Sequence, residues 1–146
     1  MIQLALVTSI LTAVTWYGQF GPCQPSYTTC KTEIDSLTKQ LVYITADIEP
    51  LNDGGTNKLT REFERKINTS KTIFDPKNYD PNVIVAFIVD KEGYIKGERV
   101  VIDKTQKLGQ QMLDIIKSFK WTPAKCNGQY VSMIQKRTMI INIAEN

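Results

Sequence analysis

The sequence predicts an α+β domain: a small antiparallel three-stranded sheet with helices packed on one face, in the order α-β-β-α-β. Two observations lead to this prediction. Apolar residues recur at helical spacing in residues 59–67 and 105–119, and strand patterns occupy residues 83–89, 94–102 and 130–143. The 146 residues suit a single domain, and a chain of this length buries a core without metals or disulfides.

The first 30 residues contain no charged side chain. Residues 2–17 are mainly apolar, which is short for a membrane-spanning helix and typical of the apolar region of a signal peptide. We therefore expect residues 1–22 to be a signal peptide or an N-terminal apolar anchor, and the chain to be exported. Any membrane association would come through this segment alone. A buried N-terminal helix or strand is the alternative.

The three cysteines leave their pairing open. Cys23 and Cys30 could pair, and Cys126 would then be a small packing residue. Cys23 also follows the apolar run closely, as the acylated cysteine of a lipoprotein would, but Phe20-Gly21-Pro22 is a poor lead-in for that modification. Three cysteines without histidine and without a C-x-x-C motif do not predict a zinc site.

The stretch 31–44 fits two local structures. Its apolar residues recur at helical spacing behind a capping box, while residues 42–45 are also typical of a strand. The apolar residues are Ile34, Leu37, Leu41 and Ile44, and the capping pair is Thr32 and Asp35. A turn follows at residues 50–55.

The next helix is marked by Leu59, Phe63 and Ile67, which are spaced by four and separated by charged residues. Thr56 or Asn57 is expected to cap it. Residues 68–82 form a polar connection to the first strand.

Every residue from 83 to 89 is apolar, so this strand is expected to be central or covered on both faces. Asp90 and Glu92 lie in the hairpin loop that follows, where acidic residues serve turn formation. Residues 94–102 are the return strand, and Gly97 is expected to mark a bulge.

The helix predicted at 105–119 carries one apolar stripe, and Trp121 is expected to anchor the core where the chain reverses. Asn127-Gly128 predicts a turn. In the last strand, 130–143, the stretch Gln135-Lys136-Arg137 interrupts the apolar alternation. The stripe comprises Leu108, Met112, Ile115, Ile116 and Phe119, and the alternating residues are Val131, Met133, Met139, Ile141 and Ile143.

The composition excludes several functions. The chain has no histidine, which rules out Ser-His-Asp and Cys-His catalysis and imidazole metal sites. A phosphate-binding glycine loop, a nucleophile elbow and an EF-hand are also absent from the sequence. A net charge of +3 is too weak to indicate nucleic-acid binding. We expect no enzyme activity, cofactor or metal.

Three motifs, in the same order, resemble the C-terminal domain of TonB energy transducers, in the variety common in Bacteroidetes-type bacteria. Pro50 with Gly54-Gly55 and the following helix resembles that variety's pre-domain signature, and residues 83–95 resemble its first hairpin. Lys120-Trp121-x-Pro123-Ala124 with Asn127-Gly128 resembles the segment before its last strand. The domain would span residues 49–146, with residues 23–48 as a connecting segment.

The resemblance implies a periplasmic or cell-envelope binding module without catalysis. In this family the domain captures an extended segment of an outer-membrane TonB-dependent transporter as an added strand. The matching edge is the last strand, and its charged residues would serve partner contact, edge protection or both. The implied partner-binding residues are Tyr130, Ser132, Ile134, Gln135, Lys136 and Arg137.

Two departures suggest a second interpretation. Tyr79-Asp80-Pro81 replaces the family's Tyr-Pro pair. The connecting segment, residues 23–48, also has a short reach at roughly 3.3 Å per extended residue. The alternative is therefore a stand-alone structural or accessory protein that keeps the fold without energy transduction. An exposed edge would also permit a homodimer by exchange of the last strand.

Overall fold

The strand that is apolar throughout lies inside the main sheet. The computed structural model describes residues 30–68, 80–105 and 107–141. Their elements, in chain order, are β1 (Lys31–Ile34), β2 (Leu41–Thr45), β3 (Leu51–Asn52), α1 (Gly55–Lys66), β4 (Asn82–Val89), β5 (Ile95–Ile102), α2 (Leu108–Lys117), β6 (Trp121–Thr122), β7 (Ala124–Cys126), β8 (Gln129–Val131) and β9 (Met133–Ile140).

The main sheet has five strands in the order β1-β2-β9-β4-β5, so the prediction of a small three-stranded antiparallel sheet is wrong. β4 is antiparallel to both β5 and β9, whereas β2 runs parallel to β9 and meets it at Tyr43 and Met133. Two further pairs, β3-β6 and β7-β8, form small separate sheets. The described residues therefore contain more strand than helix, and the helices are two.

The hydrophobic core lies between the helices and one face of the sheet. The odd-numbered residues of β4 point toward the helices, where α1 contributes Leu59 and α2 contributes most of the remaining apolar side chains. Trp121 is buried against Phe87, with ring centroids 5.2 Å apart, and its Nε1 donates to the Ile116 carbonyl. Its predicted role as a core anchor is confirmed.

The β1–β2 hairpin joins the sheet at β9 and packs Val42 against the face opposite the helices. Of the two structures that residues 31–44 fit, the strand at 42–45 is therefore confirmed and the helix is wrong. Val42 is buried against Ile88 and Ile134. In the hairpin turn, the Asp35 carboxylate accepts from Arg99 Nη2 of β5 at 2.6 Å. The helical spacing of the apolar residues was coincidental: Ile34, Leu37, Leu41 and Ile44 are all exposed.

Local details bear out some predictions and correct others. Gly97 marks a bulge, as expected, because the β4–β5 register shifts opposite it. Asp90 Oδ1 accepts from the amides of Glu92 and Tyr94, which confirms its role in the turn. By contrast, α1 begins at Gly55 behind a left-handed Gly54, without a side-chain cap. The caps predicted at Thr56 or Asn57 are wrong.

The ends of the later elements also differ from the expected ones. The second helix is shorter than predicted, and the long last strand is divided into β8 and β9 at Ser132. The calls on residues 1–22 and on Cys23 lie outside the described residues, as do Ile143 and most of the 68–82 connection.

Gly93 should not tolerate a side chain. Its φ is +89°, and a Cβ there would clash with the Trp121 carbonyl oxygen. We expect Gly93→Ala to lower the free energy of unfolding by about 2 kcal/mol, since backbone strain and a clash with backbone act together. Gly128→Ala is the control, because its φ is +77° but a Cβ there would meet open space. Equal losses in urea unfolding of the two variants would contradict the clash.

Candidate functional site

The site begins with the backbone of β9 beyond its contact with β2. Ser132 O accepts from Tyr43 N on the β2 side, and Ile141 N donates to Pro81 O on the β4 side. Since the direction of these groups alternates along a strand, even-numbered residues of β9 direct N–H and C=O away from β4. No described residue pairs with β9 beyond Met133 on that side. The free edge therefore comprises the outward groups of Lys136, Thr138 and Ile140.

Two outward carbonyls of β9 are covered by neighbouring side chains. Gln135 Nε2 donates to the Ile134 carbonyl at 3.3 Å, and Arg137 Nη1 donates to the Lys136 carbonyl at 3.2 Å. Exposed strand edges are commonly protected against indiscriminate pairing, and long polar side chains are one means of protection. An incoming strand would replace these two donors with its own amides.

A groove of about 580 Å³ runs along this edge between α1 and β9. Leu59 is fully buried there, whereas Phe63, Ile67 and Met139 are only partly buried. The groove is thus apolar in its floor and open to solvent. A second recess separates β9 from the β1–β2 hairpin, and its walls include Glu33, Ile44, Glu49, Lys136 and Arg137.

Arg137 lines both recesses. Its side chain shares the helix-facing side of the sheet with Met139, because both are odd-numbered residues of β9. Its Nε is buried, with no hydrogen-bond partner among the described residues. Burial lowers the pKa of the guanidinium, and the charge of Glu49 opposes this shift.

The structure separates the six residues implied by the resemblance into three groups. Tyr130 lies in the β7–β8 hairpin, where Lys125 Nζ stands 4.7 Å from its ring centroid. Ser132 and Ile134 lie where β2 covers β9, and Ile134 is buried. Gln135, Lys136 and Arg137 are brought together at the start of the free edge.

Sequence reasoning missed the rest of the site. Thr138 and Ile140 extend the free edge, and Phe63 and Ile67 line its groove. The helical spacing of Leu59, Phe63 and Ile67 predicts an apolar stripe that packs against the rest of the protein. It does not predict that part of this stripe lines an open groove. Ile140 is 64% exposed, and its position on an apolar strand gave no sign of this.

The cysteines pair differently from the pairing considered above, because Cys30 is joined to Cys126 by a disulfide. Cys126 is therefore not a free packing residue. Asp47 lies beside the bond and accepts from the Asn127 amide at 2.7 Å. One ligand atom each of Cys30, Asp47 and Cys126 lies within 4.8 Å of the others, but the disulfide removes both thiolates that a metal would require.

Neither helix in the described part of the chain is both long enough and apolar enough to span a membrane. A scan of the sequence against protein-family models finds no match, and a search of curated proteins finds none either.

Proposed function

We propose that this chain is an exported, non-catalytic protein-binding module that captures an extended segment of a partner along the free edge of β9. The observation that supports this is the combination of outward backbone groups with an adjacent groove. Backbone hydrogen bonds would supply affinity, and alternate side chains of the captured segment would enter the groove and supply selectivity. The partner class implied by the resemblance to TonB C-terminal domains is an outer-membrane TonB-dependent transporter.

The edge sets limits on the captured segment. β2 and the chain that follows it occupy the Met133 end, so the new strand would lie alongside residues 135–140. Its backbone amides would replace the side chains of Gln135 and Arg137 as donors to the Ile134 and Lys136 carbonyls. At roughly 3.3 Å per strand residue, a segment of about six residues fills this length.

The second candidate is a stand-alone accessory protein that keeps the fold without energy transduction. The observation in its favour is that the β1–β2 hairpin already covers part of the same edge. The Cys30–Cys126 disulfide holds the start of the hairpin to β7, and the Asp35–Arg99 ion pair holds its turn to β5. A hairpin held in this way serves as a permanent part of the sheet.

Thr138→Pro should abolish capture while leaving the fold intact. Proline lacks the N–H that an added strand needs, and the Thr138 N–H points away from β4, so no bond within the sheet is lost. We expect peptides from the N-terminal plug regions of transporters to shift the amide NMR signals of Lys136, Thr138 and Ile140 in the full wild-type chain. We expect at least tenfold weaker binding to the variant.

Ile140→Pro, at the end of the same edge, is the second variant should the first unfold. Lys136→Ala is the matched control, because it removes a side chain from the edge but retains the backbone donor. Absence of shifts at millimolar peptide would overturn transporter capture. Shifts confined to other surfaces would place the binding site elsewhere.

A further inference from the structure

Two cysteines and one carboxylate meet where the β1–β2 hairpin contacts β7. Cys30 precedes β1, Asp47 follows β2 and Cys126 ends β7, and one ligand atom of each lies within 4.8 Å of the others. The two sulfurs are joined in a disulfide. Thiolate sulfur is a strong ligand for zinc, and a carboxylate oxygen is a further ligand that zinc accepts. Reduction of this bond would therefore leave three zinc ligands in one place.

Backbone contacts that do not involve the disulfide hold the three residues together. Lys31 is paired with Thr45 in the hairpin, and its amide donates to Thr45 Oγ1 at 2.9 Å. Cys30, the residue before it, is thereby held at the end of β2. Ile48 and Lys125 exchange two backbone hydrogen bonds of 3.1 and 2.9 Å, which holds the aspartate of the group beside the cysteine that ends β7. The group is therefore assembled by hydrogen bonds as well as by the covalent bond.

The Asp47 carboxylate has the orientation that a metal ligand needs. Its Oδ2 accepts from the Asn127 amide at 2.7 Å, and its Oδ1 lies 3.8 Å from Cys30 Sγ. A hydrogen bond of this kind to a ligating carboxylate is common in metal sites and fixes its direction. In tetrahedral zinc sites, with Zn–S of about 2.3 Å and Zn–O of about 2.1 Å, the sulfur and oxygen corners lie about 3.6 Å apart. The observed separation is close to that value.

The group is accessible to an ion from solvent. Asp47 is exposed, Cys30 is partly buried and Cys126 is buried, so the group is open on one side. In the part of the chain that the structure describes, these three residues are all the Cys, His, Asp or Glu ligands of the group. The fourth corner of a zinc tetrahedron would therefore belong to water, as it does in zinc sites with three protein ligands.

We propose that the reduced chain binds one Zn²⁺ through Cys30, Asp47 and Cys126, and that the ion replaces the disulfide as the connection between the β1–β2 hairpin and β7. The reductant is a dithiol, which gives two electrons and two protons to the sulfurs and becomes a disulfide itself. Zinc then displaces both thiol protons, because the thiolate is the ligand. This inference goes beyond the proposed function and does not depend on strand capture by β9.

The test uses the full chain with Cys23→Ser, so that the third thiol takes no part. A water-soluble phosphine replaces the dithiol, which would itself bind the metal. The phosphine becomes its oxide with oxygen from water, and each sulfur takes a proton. Zn²⁺ is then titrated in competition with a chromophoric chelator. We expect one ion per reduced chain and no comparable binding to the oxidised chain. Cd²⁺ added to the reduced chain should give the ultraviolet charge-transfer absorption of a metal thiolate.

Variants assign the ligands. Asp47→Asn should weaken Zn²⁺ binding to the reduced chain at least tenfold, since it removes one ligand but keeps an acceptor for the Asn127 amide. Asp114→Asn, which changes an exposed carboxylate on α2, is the matched control and should leave the affinity unchanged. The double variant Cys30→Ser/Cys126→Ser should lose the cadmium absorption altogether.

The result is decisive even if reduction unfolds the chain. Binding of a structural metal is coupled to folding, so Zn²⁺ should then restore the circular dichroism of the oxidised chain, and more of it should be needed for Asp47→Asn. Equal Zn²⁺ affinity of the reduced and oxidised chains would overturn the site, as would an unfolded reduced chain that Zn²⁺ does not refold. Unchanged affinity in Asp47→Asn would overturn the three-ligand assignment.

Discussion

Loss of the Cys30–Cys126 disulfide is expected to lower the free energy of unfolding by about 4 kcal/mol. The bond joins residues 96 positions apart in the chain, and a cross-link over a loop of this length removes much of the conformational entropy of the unfolded state. It also connects the residue before β1 to β7, so the β1–β2 hairpin would lose its covalent connection to that strand. The measurement is urea unfolding of Cys30→Ser/Cys126→Ser beside the oxidised protein.

The reductant provides the control. Treatment of the wild-type chain with a dithiol should reproduce the loss seen in the double variant, and the same treatment should leave the double variant unchanged. Cys23→Ser is introduced in all samples so that thiol exchange does not complicate the comparison. A loss below about 1 kcal/mol would show that the bond constrains little beyond what the fold already fixes.

Asp35→Asn is expected to cost about 3 kcal/mol, because it leaves Arg99 without the carboxylate that neutralises it. Asp35 is only 2% exposed, and its Oδ2 accepts from the amide and the hydroxyl of Thr38 as well. Asp114→Asn, on the exposed face of α2, is the matched control and should change stability by less than about 0.5 kcal/mol. Equal effects of the two substitutions in urea unfolding would contradict a structural role for the pair.

Protonation of the Asp35 carboxylate should make the free energy of unfolding depend on pH. The pKa of Asp35 is held at about 2, against an ordinary value of 3.8, by hydrogen bonds from the Thr38 amide and hydroxyl and by Arg99. Together these outweigh burial, which raises the pKa. Because the folded pKa is the lower one, its contribution is complete above about pH 4 and is lost as the pH falls toward 2. The difference in stability between wild type and Asp35→Asn should therefore shrink over that range. A constant difference would exclude Asp35 as its source.

The elements that the sequence predicts well are those with local causes. The apolar strand at 83–89, its hairpin and the Gly97 bulge follow from residues within 20 positions of one another. The interpretation of residues 31–44 as a helix fails because distant residues determine their structure. The apolar spacing in this stretch fits a helix, but Asp35 is held by Arg99, 64 positions away, and Val42 is buried by β4 and β9. Tertiary contacts here override a local pattern.

The same distinction applies to the site. The polar interruption at residues 135–137 predicts partner contacts in a part of the last strand that lies at the free edge of β9. β2 covers the start of this strand through one parallel contact, between Tyr43 and Met133. No local sequence pattern encodes that contact. The burial of Arg137 Nε depends on surrounding residues rather than on neighbours in sequence. Disulfide connectivity likewise does not follow from sequence spacing, and Cys30 and Cys126 are an example.

The disulfide divides the chain topologically. The covalent ring from Cys30 to Cys126 encloses four strands of the main sheet, β1, β2, β4 and β5, together with both helices. β9 is the one strand of that sheet outside the ring. It can leave its place between β2 and β4 without threading through a closed loop. Two oxidised copies could therefore interchange this strand, or one copy could fold it last, with every covalent bond already formed.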